Sequence, residues 1–281
     1  MTILPLIRLL RPLQWLKNLM VFFPPFLSGA LAHPGLLAKG LVPFLAFCCA
    51  SSAAYVINDF NDLEQDAIHP LKARRPLPSG AVTRSAAIAC AFVLLMMGGA
   101  LALRVSWLFF AYVLLYLLVS AAYSLFLKDQ PIFDIFCIST GFVLRLYAGG
   151  AAFGVMISDW LFLTVFLLAI FLSVGKRFSE RRSLGGEAGQ HRVTLGKYPD
   201  GFLESAMYLS GASVLVTYSI YVISKPMLVY TVPLCLFGLL RYLYRVKSGG
   251  EGDPTSSLLT DPLLLATGGF WTVLVGLSVY L

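Results

Sequence analysis

Four oxygen-bearing side chains stand close together in a polar stretch that directly follows an apolar segment: Asn58, Asp59, Asp62 and Asp66. A helix continued through Asp66 would place the three aspartates on one face, because residues three and four apart are helical neighbours. Carboxylates crowded at the negative end of a helix dipole are unfavourable unless a cation neutralises them. Oxygen ligands favour Mg²⁺, which commonly binds substrate phosphate oxygens as well. The stretch therefore predicts that these four residues hold Mg²⁺ and bind a diphosphate-bearing substrate.

Basic residues follow the acidic stretch at once. Lys72, Arg74 and Arg75 come within the next polar residues, and acids next to bases suit a metal-bound phosphate ester. His69 is expected to donate a hydrogen bond or organise the loop rather than to bind the metal. Glu64 points away from the shared helix face and is expected to be solvated. The alternative for the whole stretch is a solvated, acidic helix end.

The elements that must position these residues are predicted to be membrane helices. Of 281 residues, 58% are hydrophobic and 12% are charged, whereas a soluble domain carries about 25% charged residues. A membrane helix needs roughly 20 mainly apolar residues. The sequence predicts an all-α polytopic membrane protein that forms one domain over residues 1–281. Its nine predicted spans are residues 19–37, 40–58, 85–104, 107–127, 131–153, 159–178, 202–224, 226–244 and 262–281.

The distribution of Lys and Arg predicts how these helices lie in the membrane. Basic residues accumulate in cytoplasmic loops, and Lys39, Arg104 and Lys225 are the few that fall on the opposite side of the predicted topology. The N-terminus and the acidic stretch are therefore expected on the cytoplasmic side of a cell membrane, and the C-terminus on the far side. The net charge of +7 is attributed to these loops, which argues against nucleic-acid binding.

Polar loops on the predicted cytoplasmic side could close over one cavity. Residues 59–84 and 179–201 hold most of the loop charge, whereas residues 247–262 are expected to form a flexible connection without site chemistry. Arg145 falls within a span, where arginine costs about 2.5–3.5 kcal/mol and usually faces a polar cavity. The alternative is a buried ion pair with Asp134, although a helix would separate the two by about 16 Å.

The motif Asn-Asp-x-x-Asp-x-x-x-Asp of residues 58–66 resembles the first aspartate-rich motif of the UbiA-type prenyltransferase superfamily. The resemblance implies a UbiA-like bundle of nine transmembrane helices around a central cavity, with Mg²⁺ and a bound diphosphate. Most members carry a second aspartate-rich motif after the sixth helix. Residues 173–182 are basic at that place, and Asp200 and Glu204 lie too far along the chain to substitute. Ordinary prenyl transfer is therefore disfavoured.

Residues 11–18, 58–80, 123–134 and 141–150 look like one branch of that superfamily, the decaprenyl-phosphate phosphoribosyltransferases. This resemblance implies transfer of a 5-phosphoribosyl group from phosphoribosyl diphosphate to a polyprenyl phosphate, with release of diphosphate, in cell envelope biosynthesis. Such substrates carry more phosphate groups than a prenyl diphosphate, which suits the basic residues of the predicted cytoplasmic side.

The resulting hypothesis assigns catalytic roles to Asp59, Asp62 and Asp66, and Mg²⁺ binding to these three with Asn58. The other predicted substrate-binding residues are mostly basic or phenolic. They are Lys17, Asn58, His69, Lys72, Arg75, Tyr123, Lys128, Asp134, Arg145, Lys176, Arg177, Arg192 and Tyr198.

Two other functions remain open at this point. The first is a UbiA-type prenyltransferase acting on an aromatic or lipid acceptor, which would share the fold, the metal and the three aspartates. The second is a transporter, since charged residues inside membranes also line substrate pathways. The length of the acceptor lipid, the pathway and the oligomeric state are not determined by the sequence.

Overall fold

The structure is a computed structural model that describes residues 3–68, 72–187, 189, 192–225 and 227–281. All regular elements in these ranges are helical. In chain order the α-helices are α1 (Ile3–Leu9), α2 (Phe23–Leu27), α3 (Leu36–Lys39), α4 (Leu41–Asn61), α5 (Leu63–Ile68), α6 (Arg84–Val105), α7 (Trp107–Ala122), α8 (Phe133–Phe153), α9 (Asp159–Leu184), α10 (Val193–Lys197), α11 (Phe202–Ile223), α12 (Val232–Lys247), α13 (Pro254–Thr260) and α14 (Pro262–Tyr280).

Seven helical stretches within the described residues are long and apolar enough to cross a membrane, which confirms the multi-pass prediction in its general form. They are Leu36–Asn61, Arg84–Val105, Trp107–Leu127, Phe133–Phe153, Asp159–Leu184, Phe202–Ile223 and Pro262–Tyr280. Large apolar side chains such as Phe92, Leu209 and Phe270 are exposed on their outer surfaces. A hydrocarbon environment would cover these side chains without the cost that water imposes.

The first and eighth predicted spans have a different form. The chain from Pro12 to Phe22 is a 3₁₀ helix, and three short pieces follow before α4, namely α2, a second 3₁₀ helix at Ala30–Ala32, and α3. Gly29 and Gly35 adopt positive φ angles of 78° and 81° between these pieces, a conformation that ends a helix. The eighth region yields α12, which has 16 residues. Prolines and glycines thus divide segments that hydrophobicity alone would make continuous.

Close packing brings the Pro12–Phe22 segment against α8. A Cβ atom at Gly149 would lie 2.3 Å from the carbonyl oxygen of Val21, so only glycine permits this approach. Val21 belongs to a buried cluster with Phe47, Phe109 and Leu144. The cluster fixes the segment that carries Lys17 and Asn18.

A π-helical turn, Tyr123–Leu127, ends the third membrane-type helix. The amide of Lys128 donates to the carbonyl of Tyr123 at 2.9 Å, which is the wider i to i+5 spacing of a π-helix. Such turns frequently occur at functional sites because they redirect side chains. This turn carries Tyr123, Ser124 and Lys128, all of which border the cavity described below.

Candidate active site

The acidic stretch lies where α4 ends and α5 begins. The helix is interrupted at Asp62, which caps α4 after Asn61. Asp59 and Asp66 are buried and share one guanidinium, with Arg75 Nη1 at 3.0 Å from Asp59 and 2.5 Å from Asp66. Asp59 also accepts a hydrogen bond from Arg11. Lys72 Nζ lies 3.3 Å from Asp66, so both buried carboxylates have cationic partners.

Asp62 points in a different direction and borders a polar cavity. It pairs with Lys128 and accepts a hydrogen bond from Asn58 Nδ2 at 2.8 Å. The Ser124 hydroxyl in turn donates to Asn58 Oδ1 at 2.9 Å. These contacts orient Asp62 and its amide neighbour toward the cavity.

The expected convergence of the three aspartates is therefore not found. Among the described residues no three His, Cys, Asp or Glu side chains are grouped to hold a metal ion, because the break at Asp62 separates its side chain from those of Asp59 and Asp66. The donor atoms of the stretch are nonetheless all carboxylate or amide oxygens, which fits a hard ion such as Mg²⁺. Glu64 is exposed, as predicted.

The polar cavity has a volume of about 240 Å³ and a strongly basic wall. Asp62 and Glu180 are its acidic residues. Its Lys and Arg residues come from both loops and helices and are Arg11, Lys17, Lys72, Arg75, Lys128, Arg145, Lys176, Arg177 and Arg192. An excess of cations on this scale suits a ligand with several phosphate groups.

Arg145 occupies a buried position on this wall with 4% of its surface exposed. Its Nε donates to Asn18 Oδ1 at 2.8 Å and its Nη1 donates to the Gly141 carbonyl at 2.8 Å. The guanidinium carbon lies 4.5 Å from the centre of the Tyr116 ring, a cation–π distance. The alternative of an ion pair with Asp134 is wrong, because Asp134 is bound to Arg177.

Asp134 and Tyr198 lie behind the basic wall rather than on it. Asp134 is fully buried, and its carboxylate accepts from Arg177 Nε at 2.7 Å and from the Tyr198 hydroxyl at 2.6 Å. Burial and the hydrogen bond to Asp134 raise the pKa of Tyr198, so its hydroxyl stays protonated and donates. The two residues hold Arg177 in place. Because both are buried and neither borders the polar cavity, the structure does not place them at the cavity as expected, and their contact with substrate stays a prediction.

Arg192 and Tyr123 complete the wall next to Arg177. Arg192 Nη2 donates to the Tyr123 hydroxyl at 2.7 Å, and Arg177 Nη2 donates to it at 3.3 Å. Tyr123 thus accepts from both guanidinium groups and keeps them adjacent. His69 lies outside the residues that the structure describes. Arg74 is exposed and does not border the polar cavity.

Asp253 belongs to the site but was not predicted from the sequence. Its carboxylate lies 2.9 Å from Lys176 Nζ and 3.9 Å from Lys17 Nζ, and it caps α13 by accepting from the Ser256 amide at 3.3 Å. Burial alone would raise the pKa of Asp253, but Lys176 and Lys17 outweigh that effect and lower the pKa well below its usual value. The expectation of a flexible loop at residues 247–262 is wrong. The Asp-Pro pair, an N-cap followed by a first-turn proline, was the available signal.

Two further cavities adjoin the polar one. An apolar cavity of about 440 Å³ is lined mainly by aliphatic and aromatic side chains. It shares Lys17, Phe142, Leu172 and Pro254 with the polar cavity. An outer cavity of about 1030 Å³ shares Lys17, Lys72, Arg75 and Arg192 with it. The polar cavity therefore shares lining residues both with an apolar cavity and with an outer cavity that carries several basic residues.

Comparison with known proteins shows the family of the chain. Residues 21–271 match the UbiA prenyltransferase family. The chain is 30% identical to the decaprenyl-phosphate phosphoribosyltransferase of Mycolicibacterium smegmatis, covering 98% of this chain and 92% of that protein. It is also 30% identical to the protein of the same name from Mycobacterium tuberculosis, covering 97% of this chain and 93% of that protein.

Solved structures show the same fold. A UbiA homolog from Archaeoglobus fulgidus bound to GPP and Mg²⁺ superposes with a TM-score of 0.75 and 21% identity, covering 98% of this chain and 99% of that chain. The same protein bound to DMAPP and Mg²⁺ gives a TM-score of 0.72 at 19% identity, covering 97% and 98%. At these identities the likeness concerns the fold alone.

Proposed function

The chain belongs to the UbiA prenyltransferase family, and we propose that it transfers a 5-phosphoribosyl group from phosphoribosyl diphosphate to a polyprenyl phosphate. Diphosphate is the second product. The proposal is supported by relatives that are named decaprenyl-phosphate phosphoribosyltransferase and that align with nearly the whole chain. The residues of the polar cavity make the same case on chemical grounds.

The observation that supports this proposal most directly is that α9 contributes two cations, Lys176 and Arg177, and one acid, Glu180, to the polar cavity. Lys176 and Arg177 border the cavity where a second acidic cluster would be needed to bind further metal. A prenyl diphosphate presents one diphosphate group, whereas phosphoribosyl diphosphate adds a 5-phosphate and the acceptor adds another phosphate. Each added anion requires cationic partners in a low-dielectric site. The basic wall supplies them.

The metal would be held from the acidic side of the cavity. Asp62 and Asn58 border the cavity and are the best placed ligands, whereas Asp59 and Asp66 do not border it. To bind the metal, Asp62 would exchange its contact with Lys128, and Asp59 and Asp66 would exchange theirs with Arg75. Mg²⁺, which is bound in the structures of UbiA homologs, would neutralise charge on the donor diphosphate. The set Asn58, Asp59, Asp62 and Asp66 stays a prediction.

The basic residues can perform the rest of the chemistry without a general base. The bond from the anomeric carbon to the diphosphate oxygen breaks, and a bond from that carbon to an acceptor phosphate oxygen forms. Lys128 and Arg145, which border the cavity, would stabilise charge on the departing diphosphate. The acceptor phosphate is ionised at neutral pH, so no side chain has to remove its proton. The apolar cavity offers a place for part of the acceptor lipid.

For the membrane arrangement we propose the nine-helix UbiA-like bundle around a central cavity, with the broken segment 19–37 as the first unit and α12 as the eighth. The distribution of Lys and Arg supports a cytoplasmic N-terminus and active site. The C-terminus would then lie on the far side of the membrane.

An assay of substrate dependence tests the function. Purified protein is incubated with phosphoribosyl diphosphate and Mg²⁺, with or without a polyprenyl phosphate, and released diphosphate is measured. Diphosphate release that requires the lipid phosphate is the expected result. Turnover of a prenyl diphosphate with an aromatic or lipid acceptor, and none of phosphoribosyl diphosphate, would replace this proposal by ordinary prenyl transfer.

A further inference from the structure

The junction between the polar and apolar cavities is built around a lysine. Lys17 borders the apolar, polar and outer cavities. Phe142, Leu172 and Pro254 also border both the apolar and polar cavities. An amphiphile whose tail filled the apolar cavity would therefore have to place its head group next to Lys17.

A second lysine and a carboxylate stand at the same junction. The Nζ atoms of Lys17 and Lys176 both approach Oδ1 of Asp253, at 3.9 and 2.9 Å. Asp253 cannot move freely, because its other oxygen caps α13 through the Ser256 amide. The turn before Asp253 also packs closely against α9 at Gly252, because a Cβ atom at Gly252 would lie 2.8 Å from the Gly175 carbonyl oxygen. Two ammonium groups are thus held together by a fixed anion.

We propose that Lys17 and Lys176 bind the phosphate head group of the lipid acceptor and that Asp253 is the positioning residue that keeps both ammonium groups at the junction. This inference rests on the proposed phosphoribosyl transfer. It divides the polar cavity into an acceptor end, next to the apolar cavity, and a donor end around Asp62 and Lys128. Asp62 and Lys128 border the polar cavity alone, whereas Lys17 borders all three cavities and Lys176, which shares Asp253 with it, borders the polar and outer cavities.

The charged groups around Lys17 favour the binding of an anionic ligand at the junction. Burial, and then Lys176, lower the pKa of Lys17 to about 8, and Asp253 opposes that shift. The other groups that face Lys17 are Arg145, which lowers the pKa, and Tyr116, which raises it. A phosphate placed between the lysines would stabilise the charged form of Lys17. Removing the charge of Asp253 would instead make Lys17 lose its proton at lower pH.

The test separates the two substrates kinetically. KM for a polyprenyl phosphate is measured at saturating phosphoribosyl diphosphate, and KM for phosphoribosyl diphosphate is measured at saturating polyprenyl phosphate. Both are measured in Lys17→Met, Lys176→Met and Asp253→Asn. We expect the lysine variants to raise the acceptor KM about tenfold or more, the scale of one lost charge-assisted hydrogen bond, and to leave the donor KM within about twofold. Lys197→Met, at an exposed lysine bound to a backbone carbonyl, is the matched control and should change neither value.

Asp253→Asn retains a side chain that can cap α13 and removes only the charge. Its acceptor KM should begin to rise at lower pH than that of the wild type, and Lys17→Met should lack this pH dependence. A purely structural role for Asp253 would change KM equally at all pH values. Asp200→Asn, at a fully exposed carboxylate, should keep the wild-type profile.

Direct binding of labelled polyprenyl phosphate, without donor, gives a second measurement for variants that turn over too slowly. Weaker binding in Lys17→Met and Lys176→Met, with recovery in Lys176→Arg, supports the head-group site. Unchanged lipid binding together with a raised donor KM would overturn it, because the lysines would then bind the donor. A wild-type protein that binds the lipid phosphate at these lysines but transfers no ribosyl group would contradict the proposed function alone.

Discussion

Arg177 Nε lies 2.7 Å from Asp134 Oδ2, and the two side chains are 2% and 0% exposed. A buried ion pair that loses one partner leaves an uncompensated charge, which typically costs about 3–5 kcal/mol. We therefore expect Arg177→Met and Asp134→Asn each to lower thermal stability in detergent strongly. The double variant should be less destabilised than the sum of the two.

Asp200→Asn provides the matched control for Asp134→Asn, because the Asp200 side chain is fully exposed beside its partner Arg181. Exposed pairs contribute about 0–1 kcal/mol, so the unfolding temperature of Asp200→Asn should stay near the wild-type value. Equal losses in Asp134→Asn and Asp200→Asn would show that the buried pair has no special role in holding the basic wall.

Asp62→Asn should abolish most activity while leaving the fold intact. The side chain borders the cavity and is 15% exposed, and its shape is kept by asparagine. Loss of a carboxylate that stabilises the reacting diphosphate complex should lower kcat/KM by about 100-fold or more. Glu64→Gln, at an exposed residue of the same stretch, should behave as the wild type. Full activity in Asp62→Asn would exclude the metal site as described.

Chelation should stop turnover without unfolding the protein. The acidic side chains have cationic partners of their own, since Arg75 bridges Asp59 and Asp66, and Lys128 pairs with Asp62. We expect EDTA to abolish diphosphate release, added Mg²⁺ to restore it, and the unfolding temperature to change little. A large fall of that temperature on chelation would mean that the metal is needed to hold these carboxylates in the fold.

Gly149→Ala should disturb the site from a distance. The added methyl group would lie 2.3 Å from the Val21 carbonyl oxygen, so the Pro12–Phe22 segment, with Lys17 and Asn18, would have to move away from α8. Lower stability and lower activity are expected, since overpacking typically costs about 1–3 kcal/mol. Gly276→Ala, where a Cβ has no neighbour within 4 Å, is the control. Identical behaviour of the two variants would contradict the packing described here.

Much of the fold was predictable because apolar segments of membrane length have few alternatives to helix. Segment 12–39 was not, since hydrophobicity does not show how Gly29 and Gly35, with their positive φ angles, divide it into short pieces. The acidic stretch was found from its spacing. Its internal arrangement depended on a break at Asp62 and on Arg11, which lies 48 residues away from its partner Asp59.

Asp253 illustrates the same limit at the other end of the chain. Its Asp-Pro pair marked a helix start, but nothing local indicates contact with Lys176, 77 residues earlier. Asp134 was predicted to bind substrate because it ends the 123–134 pattern on which the family resemblance rests. Burial behind Arg177 gives it a structural role instead, and burial at that position is set by tertiary packing.

Formation of the lipid product tests the central claim most directly. Protein incubated with phosphoribosyl diphosphate, polyprenyl phosphate and Mg²⁺ is extracted, and the lipid fraction is analysed by mass spectrometry. A polyprenyl phosphate that has gained one phosphoribosyl group, formed by the wild type and not by Asp62→Asn, is the predicted result. A lipid fraction without that product, together with a prenylated acceptor when a prenyl diphosphate is supplied, would contradict it.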